Sequence, residues 1–240
     1  MKNVSIHQPN FAPWLGFFFK VARSDVHVFL DHVEYSKNGW TNRNIIPIAG
    51  KDHYLTIPVS KSCTSKRICD IRIPDTNANA HKKIIKTISN QYAKSPGHDL
   101  ICGFFEKKLT LFHEKKMSDF NSEIILWAAE VLGIETPFLK SSDISGIDNF
   151  KKSDLVLGIC HNLSAGNYIT GVGGTSYLNY DDFNSRGIHI SSLDIKSEYT
   201  FHKNTYMTKY SVIDFISRNG VYSKDIFKQL LSGVTSSFLV

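Results

Sequence analysis

The run Ile6-His7-Gln8-Pro9-Asn10-Phe11-Ala12-Pro13-Trp14-Leu15-Gly16-Phe17 leaves the chain few ways to fold around it. Val4 and Ile6 alternate with Ser5 as in a strand with one buried face, and Pro9, which has no N–H to donate, ends the ladder just beyond His7 and Gln8. Pro13 has the preset φ of a first helical residue. Trp14, Phe17, Phe18 and Val21 follow at helical spacing, which predicts a helix from about Pro13 to Arg23. Residues 25–31 then read as a second strand ending in Asp31. Strand, helix and strand in about thirty residues make a βαβ unit, and open parallel sheets bind ligands beyond the carboxyl ends of their strands. His7, Gln8 and Asp31 all fall at such ends.

The rest of the chain supports a mixed, largely parallel α/β sheet with a helical middle segment. Past Asp31, the Asn38-Gly39 dipeptide predicts a hairpin-like excursion flanked by two short strands. Gly50 and Lys51 turn the chain into a β-rich run that Pro58 closes, and residues 66–73 alternate well enough for a further strand. From Asn77 the period changes: His81, Ile84, Ile85, Ile88 and Tyr92 are spaced for a helix, which Ser95-Pro96-Gly97 ends. Two more helices are expected at 100–113 and 117–132. Shorter strands follow at 135–140, 168–170 and 187–191, with helices at 149–162, 180–186, 210–216 and 226–231. The organisation expected is a single domain over 1–240 with a helical layer at about 77–133, and a tail from Gly233 that frays.

A chain of 240 residues, 42% of them apolar, can bury a full core. No apolar run approaches the roughly 20 residues of a membrane helix, and nothing before His7 resembles a secretion signal, so a cytoplasmic protein without membrane insertion is expected. The net charge of +6 favours anionic partners. The basic residues are not interleaved with a stacking platform, which argues against nucleic acid. The lysine pairs at 107–108, 115–116 and 151–152 read as solvated helix faces. Cys63, Cys69, Cys102 and Cys160 form no C-x-x-C pair, so no metal site is expected. Cys160 and His161 are helix neighbours about 100° apart, a poor geometry for a dyad.

Arg43 stands between Asn42 and Asn44, a guanidinium fork and two amides suited to a phosphate or carboxylate and the polar edge of a sugar or base. The competing reading is a surface hairpin whose asparagines close turns. Gly171, Gly173 and Gly174, followed by Tyr177, form a loop that could cradle a phosphate, although its spacing is neither the dinucleotide fingerprint nor the Walker pattern. A glycine turn with no ligand is the alternative. Asn10, Lys20, Asp31 and Trp40 complete the set of candidate binding residues.

Several of these residues together resemble the WbqC-like protein family. They are His7-Gln8-Pro9, Pro13-Trp14-Leu15-Gly16-Phe17, Lys20, Ser24-Asp25, Asp31, Trp40, Asn42-Arg43-Asn44 and Leu55-Thr56-Ile57-Pro58-Val59. Later pieces agree, among them Ile88, Tyr92, Phe120-Asn121, Ser141-Ser142, Gly173-Gly174 and Tyr210-Ser211-Val212-Ile213-Asp214. Asn179 departs from the pattern, standing where an aspartate is more usual. The resemblance implies a place in bacterial O-antigen, lipopolysaccharide or other surface-polysaccharide biosynthesis, beside enzymes that make amino sugars. The leading expectation is a transferase that moves an acyl or aminoacyl group onto the amine of a sugar nucleotide, with acyl-CoA or an acyl carrier as the implied donor. In that expectation His7 is the base, Gln8, Asn42 and Asn44 serve the oxyanion or orient the sugar, and Arg43 and Lys20 hold phosphate or carboxylate. The alternatives are a nucleotidylyltransferase-like enzyme, for which the second histidine two residues away is missing, and a non-catalytic sugar-nucleotide-binding partner. A homo-oligomer stays open.

Overall fold

The computed structural model describes residues 1–74, 78–110, 115–194 and 209–239. Its main sheet is built from β1 (Asn3–His7), β2 (Val26–Phe29), β5 (Phe138–Lys140), β6 (Asn167–Thr170), β7 (His189–Asp194) and β8 (Thr235–Phe238), in the order β5-β2-β1-β6-β7-β8. All neighbours are parallel except β7 and β8. The chain winds outward from β1 through β2 to β5, then returns to the other side of β1 with β6. The reversal falls between β1 and β6, the switch point at which an α/β sheet opens a crevice beyond its strand ends. The mixed α/β architecture with β1 leading into a helix is therefore present as the sequence predicts.

The pleat divides the sheet into two faces. Val4, Ile6, Val26, Val28, Ile188 and Ile190 pack on one face with Leu155 and Ile159 from α5 (Lys152–Asn162). The other face lies under α1 (Leu15–Ala22), whose Phe17, Phe18 and Phe19 are all buried. A helix covered on every side can be apolar all round, which explains the uninterrupted Leu-Gly-Phe-Phe-Phe. The strand residues beneath it are polar, however: Ser5 Oγ lies 2.7 Å from His27 Nδ1, and Asn167 Nδ2 donates to Ser191 Oγ at 3.0 Å.

Helices α2 (Ala78–Tyr92), α3 (His98–Thr110) and α4 (Met117–Leu132) supply much of the second core, with α7 (Val212–Asn219) and α8 (Ser223–Ser232) packed near them. The short α6 (Tyr180–Ser185) precedes β7. A separate antiparallel hairpin, β3 (Arg43–Ile48) and β4 (Lys51–Thr56), stands off the main sheet.

Three local expectations are corrected. The hairpin turns at Ala49-Gly50, both at positive φ (48° and 75°) as a tight two-residue turn requires, whereas Asn38-Gly39 closes only a local turn. Residues 66–73 form no strand: Ile68 and Ile71 are buried at the spacing of one 3-10 turn over Ile68–Asp70. The tail does not fray at once, because the outer edge of β7 offers unpaired backbone groups and β8 pairs with them from Ser191 to Asp194. Parts of the expected helix at 100–113 and of the segment after Asp194 lie outside the described residues.

Candidate functional site

The segment between β1 and α1 is fixed by a set of hydrogen bonds from distant parts of the chain. Asn121 of α4 donates its amide to the Pro9 and Thr41 carbonyls, both at 2.7 Å. Asn44 donates to the carbonyls of Phe11 at 3.1 Å and Ala12 at 2.8 Å, and its own carbonyl accepts the Ile45 N–H at 2.8 Å. Ser211 adds a third donor at 2.7 Å from the Ala12 carbonyl. Trp40 O accepts the Phe11 N–H at 3.0 Å, and Pro13 O accepts that of Val212 at 2.9 Å. Ala12 is held at φ 40°, a left-handed conformation that costs a residue with a Cβ about 1–2 kcal/mol. The loop after His7 is thus rigid, and it is bonded directly to the 40–44 segment.

His7 ends β1 half-buried, edge-on to the rings of Trp14 (5.7 Å between centroids) and Phe17 (5.4 Å). Its Nδ1 lies 2.9 Å from the Gln8 carbonyl, which can only accept, so Nδ1 carries the proton and Nε2 the lone pair. Burial, with a smaller push from the Lys20 charge, lowers its pKa to about 3 against the pull of the Gln8 carbonyl. Lys20 comes up from α1 to within 3.2 Å of the Ile6 carbonyl, one residue short of His7, and burial lowers its pKa to about 7. His27 completes the group from β2. It is fully buried, its basicity is depressed by burial and then by Lys20 and His7, and its Nε2 has no hydrogen-bond partner among the described residues.

The hairpin and the segment before it present aromatic surface. Trp40 and Tyr54, 41% and 46% exposed, lie nearly parallel with centroids 6.5 Å apart, and the Arg43 guanidinium stacks 4.6 Å from the Tyr54 ring. Arg43 also donates to the Asn38 carbonyl. Asn42 donates to Ile57 O at 3.0 Å, leaving its own carbonyl buried without a partner. Thr41 Oγ1 and Asn121 Oδ1 are in the same condition among the described residues. A buried acceptor left open is costly unless a water or a ligand fills it.

The remaining candidates separate into positioning and peripheral roles. Asn44 has its amide fully used in the loop. Asp31 is buried and accepts from Ser141 Oγ, Ser142 N and Ser142 Oγ at 3.0–3.1 Å, joining the end of β2 to the 3-10 turn after β5. Gly171, Gly173 and Gly174 lie at the start of a 3-10 turn (Val172–Tyr177) immediately beyond β6, next to the end of β1 across the switch point. Gly171 is exposed, whereas a Cβ on Gly174 would stand 2.3 Å from Thr170 Oγ1, so close packing alone demands a glycine there. Tyr177 is 43% exposed, and burial raises its hydroxyl pKa. Asn10 is buried in the loop itself.

Other features stand apart from the site. Lys108 and Lys115 both pair with Glu123, at 2.6 and 2.8 Å, and so tie α3 and the start of α4 together. Burial pushes the Cys160 thiol up to about 12, which leaves no thiolate at neutral pH. A groove of about 550 Å³ runs along the β5 edge between Leu126, Phe138 and Leu139, and none of the candidate residues lines it. Its walls are mainly apolar. Among the described residues no three His, Cys, Asp or Glu side chains are grouped to hold a metal, and no helix is long and apolar enough to cross a membrane.

The fold is that of a doubly wound α/β protein, with His7 and the glycine turn after β6 side by side at its switch point. The chain belongs to the WbqC-like protein family, whose model matches residues 8–226. It is similar to the Mycobacterium tuberculosis (strain ATCC 25618 / H37Rv) protein called "Uncharacterized protein Rv1507c", with 24% identity over 95% of this chain and 98% of that protein. No solved structure matches it. Three residues that sequence reasoning did not nominate for the site, His27, Asn121 and Ser211, help to build it. Asn121 and Ser211 stand in the motif stretches that carry the family resemblance, which was the available signal.

Proposed function

We propose that this protein binds a nucleotide-linked amino sugar beyond the ends of β1 and β6 and transfers an acyl or aminoacyl group to the sugar amine, in the cytoplasm, as a step of surface-polysaccharide biosynthesis. The observation that carries the reading is the orientation of His7: a strand-end imidazole whose Nδ1 is tied to Gln8 O, leaving the Nε2 lone pair for a substrate. In the reaction the amine nitrogen bonds to the carbonyl carbon of a thioester donor, and the carbonyl oxygen takes the negative charge. The Gln8 amide donates to that oxygen, and Nε2 accepts the amine's proton. Collapse of the intermediate expels the thiolate, which takes the same proton and leaves as a thiol. Asn42 Oδ1 accepts from a sugar hydroxyl, and the Trp40 and Tyr54 rings give the sugar or base an apolar face to lie on. Arg43 supplies a charge for phosphate or carboxylate.

The test is mass spectrometry of amino-sugar nucleotides incubated with the protein and a panel of acyl donors. His7→Gln retains ring-sized bulk and a hydrogen-bonding group but no imidazole, and is expected to lower kcat about 100-fold or more. Unchanged turnover in that variant removes His7 as the base. One observation favours a second reading, binding without turnover: an imidazole with a pKa near 3 is a weak base until a bound anion offsets the Lys20 charge. Tight binding of a sugar nucleotide with no product from any donor supports that reading.

A further inference from the structure

Lys20 is the one charged residue of α1, surrounded in sequence by Leu15, Gly16, Phe17, Phe18, Phe19, Val21 and Ala22. An ammonium in such company is expected to turn outward to water. It does not: the residue is only 4% exposed, and its amine lies 3.2 Å from the Ile6 carbonyl and 6.0 Å from the centre of the Phe17 ring. Among the described residues no carboxylate comes within 4 Å of it, whereas buried charges are ordinarily paired. The titratable groups acting with it are His7 from β1 and His27 from β2, both bases. His27 Nε2 is buried and has no hydrogen-bond partner among the described residues. Lys20 thus stands beside two imidazoles, one ending the central strand and one opposite Ser5 within it, with no acid among the described residues to supply its counter-charge.

We propose that Lys20 is the anion receptor of this site and that the group it receives is the diphosphate of the nucleotide-linked sugar. The identity of the anion rests on the functional reading above, whereas the need for one rests on the cluster itself. The diphosphate settles over the ends of β1 and β6. The amine, on its flexible four-carbon stem, swings from the Ile6 carbonyl, its only hydrogen-bond partner among the described residues, to a phosphoryl oxygen. A bond between two opposite charges then replaces a long one to a neutral carbonyl. The added negative charge also offsets the repulsion that Lys20 exerts on His7, the smaller of the two causes that lower its basicity.

The experiment measures calorimetric binding of pyrophosphate, uridine diphosphate and uridine to the wild-type protein and to Lys20→Met, which fills the same space without charge. Lys20→Met is expected to weaken pyrophosphate and uridine diphosphate about tenfold or more, to leave uridine alone, and to keep or raise the Tm of the free protein, since a buried unpaired charge has been removed. A merely structural lysine gives the reverse, a lowered Tm with unchanged affinity. Should the variant fail to fold, pyrophosphate must still shift the Lys20 Cε resonance in the wild-type protein. Pyrophosphate binding within twofold in the two proteins, or no binding to the wild type at millimolar concentration, overturns the assignment. If pyrophosphate binds through Lys20 but no amino-sugar nucleotide does, the receptor stands and the proposed substrate falls. If sugar nucleotides bind both proteins alike, the substrate stands and the receptor falls.

Discussion

Replacing Asn44 with Ala tests whether the loop that carries the site is held by side chains. Asn44 is 1% exposed, and its amide serves three backbone groups: Phe11 O, Ala12 O and Ile45 N. Ala12 O keeps Ser211 Oγ at 2.7 Å when the amide is removed. Phe11 O loses its donor. Ile45 N loses its acceptor, because Ile45 faces away from β4, as the acceptance of the Ser211 N–H by its own carbonyl shows. Two buried groups left open cost about 1–3 kcal/mol each, so Asn44→Ala is expected to lose roughly 2–5 kcal/mol in urea unfolding.

The Ser211→Ala variant removes the other donor to Ala12 O together with the N-cap of α7, whose Ile213 N–H lies 3.2 Å from Ser211 Oγ, for a loss of about 1–2 kcal/mol. In the double variant Ala12 O loses both donors, a penalty absent from either single variant. The double variant therefore loses about 1–2 kcal/mol more than the sum of the singles. The left-handed Ala12 makes the coupling stronger, since nothing else holds that carbonyl against relaxation to a commoner φ. A loss below about 0.5 kcal/mol for Asn44→Ala, with additive behaviour in the double variant, refutes the account of the loop as clamped.

Two further predictions concern the core and the buried bases. Asp214, fully buried on α7, accepts from Tyr92 Oη at 2.8 Å and from Arg218 Nε at 2.9–3.0 Å, so Asp214→Ala is expected to lose roughly 2–4 kcal/mol and Tyr92→Phe about 1 kcal/mol in the same assay. Native Lys20 titrates near pH 7 and unfolded lysine near 10.5; between those values the unfolded chain holds more protons, so stability rises with pH through that window, and Lys20→Met flattens the rise. His7 has the same sign lower down: its contribution is complete above about pH 6.5 and is lost as pH falls toward 3, which pH-dependent denaturation of His7→Gln checks.

What the sequence made legible is local. The helix 117–132 is read to the residue because Gly133 follows it in the left-handed conformation that ends helices, with its N–H turned back on Ala129 and Glu130. The β1-α1-β2 unit is equally plain, since both faces of its strands and all sides of its helix are buried. The turn at Gly50 is legible, but the sequence points to Asn38-Gly39 for the hairpin because Ala49 lacks the asparagine signal, and the 3-10 turn at Ile68–Asp70 mimics an alternating strand over so few residues. At the site, His7 and the 40–44 segment were nominated for their chemistry. The role of Asn44 was not legible, because an amide's partners are carbonyls that only the fold brings near. Asn121 reaches Pro9 from 112 positions away, and no spacing rule spans that distance.

The contrast between the loop and the cluster beneath it bears on how the site works. Around residues 9–13 every clamp is an amide or a hydroxyl meeting a carbonyl, so the backbone is held before any ligand arrives. Below it, His7, Lys20 and His27 are held with their charge suppressed by burial, and no acid stands among them. A protein selected only for stability would place methionine at position 20 and a plain apolar residue at position 27. With the walls already rigid, an incoming anion need not order the loop, and on the proposed reading its charge acts on Lys20 first. On that reading a neutral analogue that fits the same walls binds without help from Lys20.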